Sequence, residues 1–344
     1  GLSYVFDIYR DKIKPSHNFT DYAVFVGFFP LLIAGPIERA THLLPQVEQP
    51  RRFDRATATD GLRQILWGLF KKMVIADGCA EFTTMVFKSP ALYPGSALAI
   101  AAVFFAFQIY ADFSGYSDIA IGTGKLFGFD LLRNFAYPYF SRDVAEFWRR
   151  WHISLTSWFR DYLYIPLGGS TGPKWKTVRN TSLVFLVSGL WHGANWTFVC
   201  WGVLHALFFL PLLLSNRNRK NMGIVAAGKK GPTVKEALQI VLTFSLVCFA
   251  WIFFRADNIT QAFSYITHLF SPSLFSKPPV TPIVMLAILA LFIWIEWMGR
   301  EHAYAIAALG LKWPRPLRWA FYYVLIIAMF SIVSKTQQFI YFQF

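Results

Sequence analysis

Apolar runs broken by short basic segments set the rhythm of this chain. The stretches 22–37, 61–78, 95–111, 181–214, 236–254, 281–299 and 317–334 are predominantly apolar. Roughly 17–25 such residues cross a bilayer as a helix. No stretch alternates as a barrel strand would, and inside lipid every backbone group needs an internal partner, so these runs predict helices. The run 181–214 is too long for one crossing, measuring about 51 Å as a single helix against a hydrocarbon core of about 30 Å. A break is expected between Gly189 and Gly193, around His192. Leu62, Ile65, Leu66, Leu69 and Met73 recur at helical spacing, interrupted by Arg63, Lys71 and Lys72, which predicts a partly interfacial helix. Residues 140–170 mix charge and aromatic rings too densely for a plain span and predict an amphipathic or re-entrant element.

Composition agrees with that pattern. Of 344 residues, 55% are hydrophobic and only 15% charged, against about 25% charged in soluble domains. The formal charge of +14 is gathered in "YRDKIK", "QPRRFDR", "NRNRKN", "GKKG" and "KWPRPLR", which flank apolar runs. The positive-inside rule accounts for them, and nucleic acid is not an expected partner. The basic loop Ser215–Lys235 is expected to be mobile, and the aromatic end "TQQFIYFQF" to anchor at the membrane interface. Cys79, Cys200 and Cys248 show no C-x-x-C spacing and predict neither a disulfide nor a metal site. The opening "GLSYVFDIYR" shows no signal peptide and reads as a chain entered midway. With no internal repeat, residues 1–344 are expected to form a single polytopic membrane domain.

Candidate chemistry centres on "SGLWHGANW", where His192 stands in the most apolar part of the chain, with Asn195 placed to orient its ring. A second histidine, His152, lies in "EFWRRWHISLTSWFRDYL" among Trp148, Arg149, Arg150 and Asp161. Ionisable groups at membrane depth are costly and usually functional. Asp112 and Asp118 qualify too, either as structural partners of a cation or as lining of a site. His205 follows His192 by thirteen residues, a rotation of about 220° on a continuous helix. It is therefore expected to face away and to be structural. "HNFTD" matches an H-x-x-x-D pattern but sits in a polar loop, and "GTGKLFG" fails the phosphate-loop spacings. There is no H-E-x-x-H and no G-x-S-x-G. Buried histidines without a nucleophile motif fit general-base activation of a hydroxyl that attacks an activated acyl group.

The stretches "EFWRRWHISLTSWFRDYLYIPLGG" and "NTSLVFLVSGLWHGANWTFVCWGVLHAL", with "GPIERA" and "YADFSGYSDIAIG", resemble the membrane-bound O-acyltransferase family. The closest likeness is to its bacterial branch that acetylates alginate. The resemblance implies an all-α integral membrane fold, a multi-pass ring of spanning and re-entrant helices around a central funnel, and further helices that this chain lacks at its N-terminus. It implies that His192 is the catalytic base, deprotonating an acceptor hydroxyl or an intermediate carrier. His152 falls on the partner position, positioning or polarising the acyl carbonyl. Trp148, Arg149, Arg150 and Asp161 would shape the funnel or bind an acidic donor. By the same resemblance the donor would be acetyl-CoA or another acyl thioester, with no tightly bound cofactor and no metal. The acceptor would be an exported, alginate-like polysaccharide or a periplasmic acetyl-transfer partner protein, met across a bacterial inner membrane. Peptidoglycan or cellulose O-acetylation and D-alanyl transfer are the alternatives within the family. A proton-relay transporter using His192 is the non-enzymatic one.

Overall fold

The computed structural model describes residues 1–331 and 339, and among these every regular element is helical. Three short helices come first, α1 (Leu2–Tyr9), α2 (Phe19–Gly27) and α3 (Ala40–Glu48). The helix α4 (Arg55–Phe70) runs through a π-helical turn, Lys71–Ala76, into α5 (Asp77–Lys88), and α6 (Gly95–Leu126) returns against it. Two short helices follow, α7 (Val144–Arg150) and α8 (Ile153–Phe159), with a second π turn at Arg160–Tyr164. Then come α9 (Lys174–His192), α10 (Trp196–Leu214), α11 (Val234–Arg255), α12 (Ile259–Leu269), α13 (Ile283–Gly299) and α14 (Arg315–Ser331). Among the described residues α6, α10 and α11 are long and apolar enough to cross a bilayer. The chain is thus a helical membrane protein.

The pairing of α4 with α6 organises the centre. The two helices run antiparallel with glycines in register: a Cβ on Gly61 would stand 2.6 Å from the Gly122 carbonyl oxygen, and one on Gly68 2.6 Å from that of Gly115. Backbones can meet this closely only where no side chain intervenes. Polar rungs alternate with the glycine contacts. Lys125 Nζ donates to Asp60 Oδ2 (2.6 Å) and Gln64 Oε1 (2.9 Å), and Gln64 Nε2 donates to Asp118 Oδ1 (2.8 Å). Lys71 pairs with Asp118 at 2.5 Å and Lys72 with Asp112 and Asp77 at 2.8 Å each, all at the π turn. The lysines that predicted an interfacial helix are therefore the cations that satisfy Asp112 and Asp118. Removing one partner of such a buried pair typically costs about 3–5 kcal/mol, because the other charge is left alone.

Two further expectations change. The run 22–37 is not one span, because α2 holds only nine residues before the 3₁₀ turn Phe29–Leu31 and the break at Gly35 and Pro36. The basic loop after α10 is tied down by arginines gripping its carbonyls. Arg149 binds those of Asn218 and Asn221 at 2.8 Å each, Arg142 and Arg150 bind that of Gly223, and Arg300 binds those of Val225, Ala226 and Lys229. The C-terminal aromatic anchor lies outside the described residues, Phe339 excepted.

Gly122→Val tests the glycine register. The added methyls meet the Gly61 carbonyl and Ile65, so thermal unfolding in detergent should shift downward by the equivalent of about 1–3 kcal/mol. Gly27→Ala, where open space surrounds the new Cβ, should leave the midpoint in place. Equal midpoints for all three proteins would contradict the packing described.

Candidate functional site

The predicted break in the run 181–214 falls at His192. Helix α9 ends on that residue, and α10 begins at Trp196 after a Gly193–Asn195 turn. Asn195 makes the turn: its side chain accepts the Thr197 N–H at 3.1 Å, capping α10, and donates to the Asp257 carbonyl at 3.0 Å. These two bonds fix the backbone at the apex. The two helices of the hairpin lie close because Gly189 faces the Phe198 carbonyl and Gly202 the Phe185 carbonyl. At the open end Lys174 Nζ donates to the Leu214 carbonyl.

This hairpin presents His192 to a wall of rings. The imidazole stands edge-to-face with Trp201 (5.2 Å) and Phe254 (5.0 Å) and beside Trp191 (5.0 Å). His192 is half-buried, whereas Trp191 on one side keeps 52% of its surface exposed. His152 lies across Trp191, its ring centre 6.4 Å from that indole, and the two imidazoles are within reach of each other's charge. The structure therefore brings together the two histidines that the sequence singled out.

His152 precedes α8 in the left-handed region (φ 43°, ψ 54°), which is uncommon outside glycine and costs of order 1–3 kcal/mol where the surroundings enforce it. It is buried, with Phe113 edge-on at 4.6 Å and Nδ1 3.3 Å from Asn134 Oδ1. The segment carrying Asn134 is held from the 34–42 region. Glu38 accepts the Leu132 N–H at 2.6 Å and meets His42 Nδ1 at 2.8 Å, and burial raises its carboxyl above the ordinary range despite those bonds.

A cavity of about 320 Å³ runs along α9 beside this pair, lined mainly by apolar side chains including Trp148, Leu155, Phe159, Val184 and Phe185. Ser188 and Thr156 also line it, each one helical turn from its histidine, His192 and His152 respectively, a rise of about 5.4–6 Å. Arg149, Arg160 and Arg219 stand among its lining residues. Trp148 forms one wall and donates its Nε1–H to His205 Nδ1 at 3.2 Å.

The remaining sequence candidates divide. Arg149 touches the cavity but spends its guanidinium on loop carbonyls, and Arg150 is held by Glu146 (2.8 Å) and the Ala136 carbonyl (3.1 Å). Asp161 lies outside the cavity lining, bound to Arg160 at 2.8 Å and to Arg39 at 3.6 Å. His205 is fully buried and not remote: its ring lies 5.0 Å from Trp201, the same indole that His192 contacts. The expected rotation fails because the helix it assumed is broken at Gly193. Sequence reasoning missed Trp201 and Asn134. A lone asparagine in "LLRNFAYP" offered only the weak signal of an amide between apolar residues.

Residues 9–254 match the membrane-bound O-acyltransferase family. The chain is 41% identical to a probable alginate O-acetylase, AlgI, of Pseudomonas aeruginosa over 79% of this chain and 50% of that protein. It is 40% identical to a peptidoglycan O-acetyltransferase of Helicobacter pylori over 71% of this chain and 45% of the relative. With a teichoic acid D-alanyltransferase of Bacillus subtilis it shares 28% identity over 67% and 60% of the respective lengths. The chain thus spans about half the length of the first two of these relatives.

Arg149→Met should free the loop that follows α10. Limited trypsin digestion in membranes, read by mass spectrometry, should show faster cleavage at Arg217, Arg219 and Lys220 than in the wild type. An unchanged rate would mean that the arginine does not hold the loop.

Proposed function

Because this chain belongs to the membrane-bound O-acyltransferase family, we propose that it transfers an acetyl or other short acyl group from a thioester to hydroxyls of an exported polysaccharide. The observation that carries the reading is the meeting of His192 and His152 across Trp191, one turn beyond the apolar cavity. The cavity, about 320 Å³ in volume, is where the thioester arm would lie, and its apolar walls would keep water from the thioester before the acceptor arrives. The helices are proposed to enclose a funnel in which the donor, acetyl-CoA or an acyl-carrier thioester, enters from the cytoplasmic face of a bacterial inner membrane. The acceptor, or a periplasmic acetyl-transfer protein, is then met on the other face.

In the proposed step the acceptor oxygen attacks the thioester carbonyl while His192 takes the hydroxyl proton. The tetrahedral intermediate then expels the thiolate, which recovers that proton from His192. The products are an ester and a thiol, and no proton is gained or lost overall. Trp148 shapes the cavity wall. An alginate-like acceptor is favoured by the similarity to the Pseudomonas protein, a probable alginate O-acetylase. Peptidoglycan O-acetylation and D-alanyl transfer follow the other relatives and use the same site.

Transfer from radiolabelled acetyl-CoA, measured in membrane vesicles, tests this. His192→Ala at equal expression and fold should lower label in polysaccharide by about 10²–10⁴-fold, the usual range for a general base. Equal labelling by both proteins would refute the base assignment, and no labelling by either would point to a conduit. Val184→Trp, which fills the cavity, should raise the KM for the donor with His192 untouched. A normal KM would place the donor elsewhere.

A further inference from the structure

Each hydrogen bond around His152 has its direction set by a backbone group at the end of a chain of side chains. The Ile37 N–H can only donate, and it does so to Ser154 Oγ at 2.9 Å. The single Ser154 hydroxyl proton then goes to Asn134 Oδ1 at 2.6 Å. From the other end, the Ala34 carbonyl can only accept, and it takes the Ser117 hydroxyl at 3.5 Å. Ser117 Oγ in turn receives Asn134 Nδ2 at 3.1 Å. The Asn134 amide is thus clamped from both sides by the backbone around Gly35 and Pro36. Reversing it would aim an N–H at the Ser154 backbone N–H, which lies 3.4 Å from Oδ1. Orientation of a buried amide is properly assigned from such a network.

That leaves His152 Nδ1 facing an oxygen, 3.3 Å away. An oxygen acceptor requires a proton on Nδ1. The side chain is only 4% exposed, and burial favours the uncharged imidazole, which has just one proton to place. The second nitrogen must therefore carry a lone pair. Backbone bonds on either side hold the arrangement: the Ile153 N–H donates to the Asn134 carbonyl at 2.9 Å and the Ala136 N–H to that of Arg150 at 3.0 Å. They lock the left-handed turn at His152 against the segment that carries Asn134.

We infer that Asn134 is a positioning residue that holds His152 in the tautomer protonated at Nδ1, so that Nε2 is a hydrogen-bond acceptor. The consequence for chemistry rests on reading His152 and His192 as the reacting pair. A lone pair at Nε2 cannot polarise an acyl carbonyl, the role that sequence resemblance suggested for His152. It can accept a hydrogen bond from a second, non-reacting hydroxyl of the acceptor and so hold the attacking one for His192, which alone takes its proton. Electrophilic help to the thioester must then come from another group.

The test is the nitrogen spectrum of the full chain, labelled with ¹⁵N-histidine, in lipid bilayers near neutral pH. His152 is assigned by its disappearance in His152→Gln. The wild type should show Nδ1 protonated and Nε2 bare, and Asn134→Leu should lose that pattern. A proton on Nε2 in the wild type, or an unchanged pattern in a folded Asn134→Leu protein, overturns the proposal. Should the leucine variant not fold, Asn134→Asp keeps the size and the facing oxygen. Its carboxylate should hold a doubly protonated ring, and a ring that stays neutral overturns the proposal equally. The spectrum reports the tautomer whether or not the chain transfers acyl groups, so its failure is distinct from failure of the acyltransferase reading. In the transfer assay, a folded Asn134→Leu protein should lose kcat with the donor KM unchanged.

Discussion

A charge inside a bilayer must find its partner within the protein, and the rest of this structure depends on how α4 and α6 meet that demand. Helix packing there gains nothing from the hydrophobic effect, because lipid is as apolar as the interface. Close backbone approach does the work instead. Gly61 against Gly122 and Gly68 against Gly115 bring the helices near enough for Lys125, Gln64 and Lys71 to reach Asp60 and Asp118 across the seam. The π turn at Lys71–Ala76 falls where the last cations engage. A firm central pair then supports everything built beside it, including Ser117, which holds Asn134 from α6.

The same logic recurs on a smaller scale around the histidines. Glycine lets α9 and α10 close into a hairpin, the cap at Asn195 ends it, and His192 is left at the apex against Trp201 and Phe254. The counterpart, His152, gains its place from a strained turn between two seven-residue helices. Neither element would hold a ring steady alone. Aromatic packing between them, Trp148 against Phe185 and Trp201, supplies the rigidity, while Arg149, which grips the loop after α10, also lines the cavity.

Much of this was legible in the sequence where the cause is local. Length and apolarity reveal α6, α10 and α11, and the excess length of 181–214 with its paired glycines locates the break at His192. The two histidines stood out because polar groups in apolar surroundings need a reason. What was not legible depends on distant partners. Nothing near Lys71 announces Asp118, and nothing in "EFWRRWH" shows that Arg149 and Arg150 bind carbonyls some seventy residues on. Only the rotation expected of His205 did not hold, because periodicity was carried through a helix that Gly193 interrupts. Asn134 escaped notice because its importance lies in four side-chain bonds to two other segments, Ser117 on α6 and residues 152–154, neither adjacent in sequence.

The central claim is geometric: the apolar cavity delivers a thioester to the two histidines. A structure of the full chain in lipid, bound to a non-hydrolysable thioether analogue of acetyl-CoA, tests it most directly. The account predicts the acyl carbonyl beside His192, with room between them for the attacking hydroxyl, and the arm of the analogue lying along Val184 and Ser188. An analogue seated elsewhere, with the cavity filled by lipid, would contradict it.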